Sequence, residues 1–483
     1  MTLRSIFAIS VISSFFLAGC SGDVDQGSQP GEAAQPATLR IDYSHTGTAE
    51  EESFELDALV QEGPWPGAVG ESVDPFGYGE YYAELRSAST GDVLASSGFA
   101  SIFGEWQTTG EAKEKERTFS ESLRFPMPDE PAELVVRHRQ PDMSFKDVWS
   151  VSIDPAEALP WTPNPDYKTW AVMENGPPSE KVDLVLLGDG YTADQMEKWH
   201  QDARRLAETL FEQSPFKERK SDFNVWAIDT PADESGVSIP SAGKERNSPI
   251  GATYDAFGSE RYVLAFDNKR WRNVAAGAPY EFVEIVVNER KYGGGGIYNL
   301  FATVAADNAF TPYVFVHEFG HHFAGLADEY YTSDVAYETD GKRVEPWGPN
   351  VTADPQSPKW ADLITPGTPL PTPWPKEEFE ALQHDIQGRR RELRAAGAPE
   401  EEIEALFRKE KVSTSKLLGE SAYADSVGAF EGAYYQASGY YRSQVDCIMF
   451  TRDDVSFCAA CDRAIDRMID RHAASGKNSE RLD

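Results

Sequence analysis

Three of the eight histidines of this 483-residue chain lie within six positions, at His317, His321 and His322. If this segment is helical, His317 and His321 stand on one face about 40° apart, so both imidazoles can reach the same ion. Glu318 lies about 100° round the helix from His317, beside such an ion, where it can take a proton from a bound water. This His-Glu-x-x-His spacing is typical of zinc peptidases that use two histidine ligands and a glutamate general base. We therefore predict one catalytic Zn²⁺ at His317 and His321.

The alternative is a buried amphipathic helix whose histidines are only hydrogen-bonded. The apolar residues 313–316 precede the motif and favour burial of the helix's N-terminal half, and Gly325 offers a helix end. His322 points about 100° away from His321. We expect it behind the ligands or on the surface.

A catalytic zinc site needs a third protein ligand and an open position. The first acids after Gly325 are Asp328 and Glu329. In a continuous helix Asp328 would lie about 10 Å beyond His321 along the axis, too far for a ligand oxygen that must sit about 2.0–2.2 Å from zinc. A left-handed Gly325 would turn the chain back and bring it within reach. We predict Asp328 as the ligand, keep Glu329 as the alternative, and expect the other acid to orient a ligand histidine.

Several segments together carry a resemblance to a known family. Residues 317–330 resemble the signature of the IgA-peptidase family of zinc metallopeptidases, and so do the segments 292–299, 427–433 and 446–450. Residues 103–109 resemble part of its N-terminal β domain. The resemblance implies a metzincin-like catalytic domain with Met449 packed below the zinc, although ordinary core packing explains Met449 almost equally well. The acid spacing is one residue longer than the metzincin pattern, whose third ligand would fall at Ala327.

Two further segments could contact a substrate. Backbone with few side chains near Gly294 and Gly295 could hydrogen-bond to an extended peptide, whereas the alternative is a flexible turn. Four tyrosines precede Met449 and favour an aromatic wall, from which one phenol could steady an oxyanion. They are Tyr434, Tyr435, Tyr440 and Tyr441.

The N-terminus predicts export and a lipid anchor. Arg4 precedes an apolar run over residues 6–17, and Leu-Ala-Gly-Cys at residues 17–20 resembles a bacterial lipobox in which Cys20 carries lipid. A chance cysteine after an ordinary signal peptide is the alternative. Ser21 after Cys20 indicates an outer-membrane lipoprotein, held by a flexible Gly-, Ser- and Pro-containing tether.

Three cysteines then remain, Cys447, Cys458 and Cys461. In an oxidising compartment an odd number predicts one disulfide and one free thiol. We expect the bridge to join Cys447 to Cys458 or Cys461, with a Cys458–Cys461 bridge less favoured and a three-thiolate metal site least favoured.

The elements that position these residues divide the chain into regions. We predict a signal peptide over residues 1–19, a tether over 20–37, an all-β sandwich over 38–155, a Pro-rich linker over 156–167 and an α/β zinc peptidase domain over 168–475. Strands at 182–187, 223–228 and 282–287 alternate with a helix starting after Thr192. A charged helix pair near 376–412, broken at residues 397–399, is predicted to be an exposed insertion without a catalytic role. The β-sandwich gathers no catalytic residue types, so we expect it to be non-catalytic.

The net charge of the chain bears on which partners it can bind. Eighty acidic residues against 45 basic ones give a net charge of −35, which disfavours nucleic acid as a partner.

Two hypotheses for the function remain: a lipid-anchored zinc endopeptidase acting on protein or peptide, and a surface binding protein with a structural metal site. Glu318 favours the enzyme, because a structural site needs ligands but no base.

Overall fold

The computed structural model describes residues 35–67, 72–333 and 343–473. The predicted signal peptide, Cys20 and the tether up to residue 34 therefore lie outside the described residues. Within the described part of the chain, no helix is both long and apolar enough to span a membrane.

Two four-stranded sheets build the N-terminal region, in the orders β5-β1-β2-β8 and β4-β3-β6-β7. Alternating apolar residues such as Leu39, Ile41, Leu134 and Val136 are buried in one core shared by both sheets. The expected β-rich N-terminal region is confirmed. The strands are β1 (Ala37–Gly47), β2 (Glu52–Pro64), β3 (Tyr81–Ser87), β4 (Val93–Phe99), β5 (Arg117–Pro126), β6 (Ala132–Arg139), β7 (Phe145–Ile153) and β8 (Leu159–Pro160).

A short helix, α1 (Ile102–Gln107), interrupts this region, where we predicted only strands. Ser101 caps it by accepting a hydrogen bond from the Gly104 amide at 2.9 Å. Phe103 and Trp106 are fully buried in the core of the following α/β region rather than between the two sheets. The two regions therefore share hydrophobic contacts.

The C-terminal region is mixed α/β, as expected. Its main sheet has the order β15-β16-β14-β10-β11-β9, with four parallel central strands and antiparallel strands β15 and β9 at the edges. These strands are β9 (Lys168–Met173), β10 (Val182–Asp189), β11 (Phe223–Asp229), β14 (Phe282–Val287), β15 (Gly294–Ile297) and β16 (Phe301–Ala305). The three predicted strands are confirmed as β10, β11 and β14. Their uninterrupted apolar runs are typical of strands that are covered on both faces.

Smaller elements surround this sheet. Strands β12 (Ala252–Thr253) and β13 (Leu264–Ala265) form a pair, and β17 (Val351–Thr352), β18 (Phe430–Ala433) and β19 (Gln436–Arg442) form a three-stranded sheet in the order β17-β19-β18. The remaining helices are α2 (Met196–Leu210), α3 (Asn268–Ala275), α4 (Thr311–Ala324), α5 (Lys376–Ala395), α6 (Glu400–Gly419) and α7 (Ala459–His472). Thr192 and Gln195 form the capping box that precedes α2.

The helix pair α5 and α6 is exposed on one face only. Phe379 of α5 and Ile403 and Phe407 of α6 are buried in the α/β core. Glu410 of α6 pairs with Arg452 at 3.2 Å. A small cavity beside His317 and Glu318 is lined in part by α5 and α6. The pair thus forms one wall beside the predicted metal site.

Candidate metal centre and cleft

Helix α4 carries the His-Glu-x-x-His motif and ends where the sequence predicts. Gly325 has φ 64° and ψ 29°, the left-handed conformation that glycine adopts without steric cost. Its amide donates to the His321 carbonyl at 3.1 Å, and the Leu326 amide donates to the Gly320 carbonyl at 3.3 Å. The chain therefore reverses after one residue and brings Asp328 back to the histidines.

Three ligand-type atoms converge at one point. His317 Nε2 lies 3.0 Å from Asp328 Oδ1, His321 Nε2 lies 3.3 Å from the same oxygen, and the two Nε2 atoms lie 3.2 Å apart. Donors bound tetrahedrally to zinc at about 2.0–2.2 Å would be about 3.3–3.6 Å apart. The observed separations are at most a few tenths of an ångström shorter, so these residues fit a cation of that size.

The other nitrogen of each imidazole is held by a backbone carbonyl. His317 Nδ1 lies 2.9 Å from the Ile448 oxygen, and His321 Nδ1 lies 2.5 Å from the Leu326 oxygen. A carbonyl can only accept, so each Nδ1 carries the proton and each Nε2 presents a lone pair to the shared point. This is the tautomer that metal binding requires.

The structure separates the two candidate acids. Asp328 meets both histidines, and its second oxygen, Oδ2, accepts a hydrogen bond from the Tyr435 hydroxyl at 2.5 Å. Glu329 points instead into a buried group of cysteines, where its Oε1 lies 3.4 Å from Cys458 Sγ. Glu329 contacts neither histidine through a described hydrogen bond. The geometry therefore favours Asp328 as the third ligand.

Glu318 lies on the cleft side of the point where the three ligand-type atoms converge. Burial raises the pKa of its carboxyl, while His317 and His321 act in the opposite direction.

Glu284 in β14 is a second acid that sequence analysis missed. Burial, followed by the charge of Glu318, raises the pKa of Glu284 well above its ordinary value. Its only sequence signal was an acid inside an otherwise apolar strand.

His322 is not at the surface. It is fully buried, the Val283 amide donates to its Nε2 at 3.0 Å, and its Nδ1 lies 3.2 Å from the Ile297 carbonyl. Burial lowers the pKa of His322 to about 3, so the ring is neutral. It links α4 to β14 and β15, whereas the sequence had left open an exposed position.

Met449 is fully buried below α4. A Cβ atom at Gly320 would lie 3.2 Å from its sulfur, so the thioether packs against the helix between the two ligand histidines. Its own carbonyl accepts from the Glu329 amide at 2.9 Å, and the preceding Ile448 carbonyl holds His317. The Met449 segment thus touches both the ligand helix and the loop after it.

The glycines of β15 are explained mainly by packing. A Cβ at Gly295 would lie 2.3 Å from the Tyr262 ring, and one at Gly296 would lie 2.3 Å from the Glu318 carbonyl oxygen. Gly294 already uses its backbone, since its amide donates to the Arg261 carbonyl at 3.1 Å and its carbonyl accepts from the Val263 amide at 3.2 Å. Gly294 also lines the cleft. Substrate contact at Gly294 and Gly295 stays a prediction. Gly296 lines the cleft, and its backbone N–H and C=O groups face the same side as those of Gly294.

We expect Gly296→Ala to lower the free energy of unfolding by about 1–3 kcal/mol, because the new methyl group overlaps the backbone of α4. The matched control is Gly388→Ala in α5, where a Cβ meets no atom within 4 Å. That change should be neutral or stabilising by up to about 1 kcal/mol, since alanine is the better helix former. Denaturant unfolding of both variants tests this. Equal stability of the two variants would contradict the close packing of β15 on α4.

The four tyrosines do not all line the cleft. Tyr434, Tyr435 and Tyr440 line it, and the Tyr440 hydroxyl also donates to the Val344 carbonyl at 3.0 Å. Tyr441 instead pairs with Thr352 in the small sheet. Only Tyr435 reaches a predicted ligand.

A cleft of ≈ 950 Å³ runs past Glu318, His321 and Asp328. One wall belongs to the β-rich region, including Glu105 and Arg139, and the other includes Arg261, Tyr262 and Tyr330. Glu105 accepts a hydrogen bond from Tyr262, so the two walls are joined. The β-rich region therefore helps to form the cleft, although its sequence shows no cluster of catalytic residue types.

The predicted disulfide is not formed. Cys447, Cys458 and Cys461 are all buried free thiols, with sulfur atoms 3.9 Å apart for Cys447 and Cys461 and 3.3 Å apart for Cys458 and Cys461. A disulfide needs about 2.05 Å.

Comparison with protein families identifies the class. The family model described as IgA Peptidase M64 matches residues 170–469, and the one described as Peptidase M64 N-terminus matches residues 31–150. A search of curated proteins found no match. The two family matches identify a metallopeptidase. The chain belongs to the M64 family of IgA peptidases, which confirms the resemblance seen in its sequence.

Proposed function

We propose that this protein is a zinc metalloendopeptidase that hydrolyses peptide bonds in proteins or peptides. The observation that carries the proposal is the convergence of His317 Nε2, His321 Nε2 and Asp328 Oδ1 beside the Glu318 carboxyl at the base of an open cleft. Three protein ligands with an open side are the pattern of a catalytic zinc site, whereas structural sites are closed by four.

We further propose that the catalytic domain is metzincin-like. Three features support this assignment: the glycine that ends α4, the buried Met449 below the ligand helix, and the antiparallel edge strand β15 beside the cleft. The first two position ligands, and the third presents backbone to a substrate.

The chemistry follows from the positions of the side chains. Zinc, when bound, supplies a Lewis acid that polarises the scissile carbonyl and activates water. Glu318 accepts the proton of the attacking water and then donates it to the leaving amine. Its raised pKa, caused chiefly by burial, suits a group that must both take and return a proton. Tyr435 fixes the Asp328 carboxylate from the opposite side through its hydroxyl.

The cleft suits an extended polypeptide. The outward backbone N–H and C=O groups of Gly296 can pair with a substrate backbone in the manner of an added strand. The β-rich region supplies the facing wall, so a substrate would contact both regions of the chain.

Removal of the metal tests the activity. We expect chelation to lower cleavage of casein or a quenched fluorescent peptide library by at least about 100-fold, because a Lewis-acid metal contributes several kcal/mol to transition-state stabilisation. Added zinc should restore the rate. Undiminished cleavage by chelated protein that atomic spectroscopy finds free of metal would contradict the proposal.

We also propose that the protein is exported and anchored in a bacterial outer membrane by lipid on Cys20. The support is the sequence Leu-Ala-Gly-Cys at residues 17–20, the apolar run before it and the flexible composition after it. Cys20→Ala should move the protein from the membrane fraction to the soluble fraction, as measured by fractionation and intact mass. A parent protein without lipid, or a variant that stays with membranes, would refute the anchor.

A further inference from the structure

A second group of metal-ligand atoms lies outside the catalytic centre. Glu329, Cys447, Cys458 and Cys461 are all buried, and one ligand atom from each lies within 4.8 Å of the others. Three of the residues are distant in sequence from Glu329, so only the fold brings them together.

The separations match a tetrahedron around a zinc ion. With zinc bonded to sulfur at about 2.3 Å and to oxygen at about 2.0–2.2 Å, tetrahedral geometry puts two sulfurs about 3.8 Å apart and a sulfur and an oxygen about 3.5 Å apart. The Cys447–Cys461 and Cys458–Cys461 sulfur separations are 3.9 and 3.3 Å. Glu329 Oε1 lies 3.4 Å from Cys458 Sγ and 3.5 Å from Cys461 Sγ.

The partners of these atoms favour ligation over simple burial. Glu329 is completely buried, and its Oε2 has no hydrogen-bond partner among the described residues. A buried carboxylate with an unpartnered oxygen is costly unless a cation neutralises it. The Asn350 side chain donates to Glu329 Oε1 at 2.9 Å and so orients the carboxylate toward the sulfurs.

Backbone amides and a helix N-terminus also lie beside the sulfur atoms. The backbone amides of Met449 and Cys458 point at Cys447 Sγ, at 3.4 and 3.2 Å. Cys458 is the N-cap residue immediately before α7, a 14-residue helix, and Cys461 lies in its first turn. Amide donors and a helix N-terminus both stabilise a thiolate, which is the form that binds metal. The two-residue spacing from Cys458 to Cys461 is the usual spacing of paired cysteine ligands.

We propose that Cys447, Cys458, Cys461 and Glu329 bind a second, structural zinc ion. Four protein ligands close the site, so it has no position for water or substrate. The proposal accounts for all three cysteines, whereas any disulfide among them would leave one thiol outside the bridge and Glu329 Oε2 buried without a hydrogen-bond partner among the described residues.

The site would connect the parts that hold the catalytic centre. Glu329 follows the proposed ligand Asp328, and its amide donates to the Met449 carbonyl at 2.9 Å. Cys447 precedes Ile448, whose carbonyl holds His317. Zinc bound here would therefore fix the loop after α4 and the Met449 segment to α7.

Metal content and X-ray absorption test the proposal on the full chain purified with zinc. We expect two zinc ions per chain and a sulfur shell at about 2.3 Å. The double variant His317→Ala, His321→Ala should keep one zinc ion with three sulfur neighbours. Cys458→Ser with Cys461→Ser should lose that shell. If this cysteine variant fails to fold, the zinc content and sulfur shell of the histidine variant and of the parent protein still test the proposal.

A single zinc without sulfur neighbours, lost in the histidine variant, would overturn the proposal. So would a disulfide among the three cysteines in non-reduced peptide maps of the parent protein. These readouts are independent of the proposed peptidase activity, because the sulfur shell does not depend on whether Glu318 acts as a base.

Discussion

We expect Glu318→Gln to lower kcat for peptide hydrolysis by about 10²–10⁴-fold, the usual effect of losing a general base. The amide has nearly the shape of the carboxylate but cannot take the proton of the attacking water. His317, His321 and Asp328 are untouched, so zinc should stay bound. The measurement is steady-state cleavage of a fluorescent peptide by purified variant whose zinc content equals that of the parent.

Glu208→Gln on α2 is the matched control, because it makes the same chemical change at an exposed position away from the cleft. It should cleave at the parent rate. A Glu318→Gln variant within a few-fold of the parent, at equal zinc content, would exclude Glu318 as the base.

Asp328→Ala should weaken catalytic zinc binding by more than about 100-fold and abolish activity. Loss of a residue that only supports a ligand typically costs about 10–100-fold in metal affinity or activity, and loss of a ligand itself should cost more. The carboxylate oxygen lies against both imidazoles and has no replacement among the described residues of the site. Competition with a chromophoric chelator measures the affinity.

Tyr435→Phe provides the comparison for this variant. It removes only the hydroxyl that contacts Asp328 Oδ2, so we expect a loss of about 10–100-fold. If Asp328→Ala binds catalytic zinc as tightly as Tyr435→Phe does, Asp328 is not a ligand and the third position must be reassigned.

Local features of the chain could be predicted from sequence because they depend on neighbours a few residues apart. His317 and His321 share a face because a helix repeats every 3.6 residues. Gly325 ends the helix because it tolerates a positive φ. The strands of the main sheet were recognisable from their apolar runs, as in β10 and β14.

Contacts between distant segments could not be predicted in this way. The glycines of β15 looked like a surface for substrate, yet Gly295 is packed against Tyr262, and α4 approaches the strand at Gly296. The expected disulfide followed from a count of three cysteines, which contains no information about Glu329, more than a hundred residues earlier. The burial of one face of α5 and α6 beside the site likewise depends on where the pair docks.

By itself, the sequence determined the chemistry available to this protein: two histidines and a glutamate on one helix, a glycine that ends it and two acids after the turn. Only the tertiary structure decided how the two acids are used. Asp328 faces the histidines and Glu329 faces the cysteines. The Met449 segment determines this orientation, since its carbonyl binds the Glu329 amide and the Ile448 carbonyl holds His317. Such a choice depends on packing across more than a hundred residues of chain, and local spacing does not encode it.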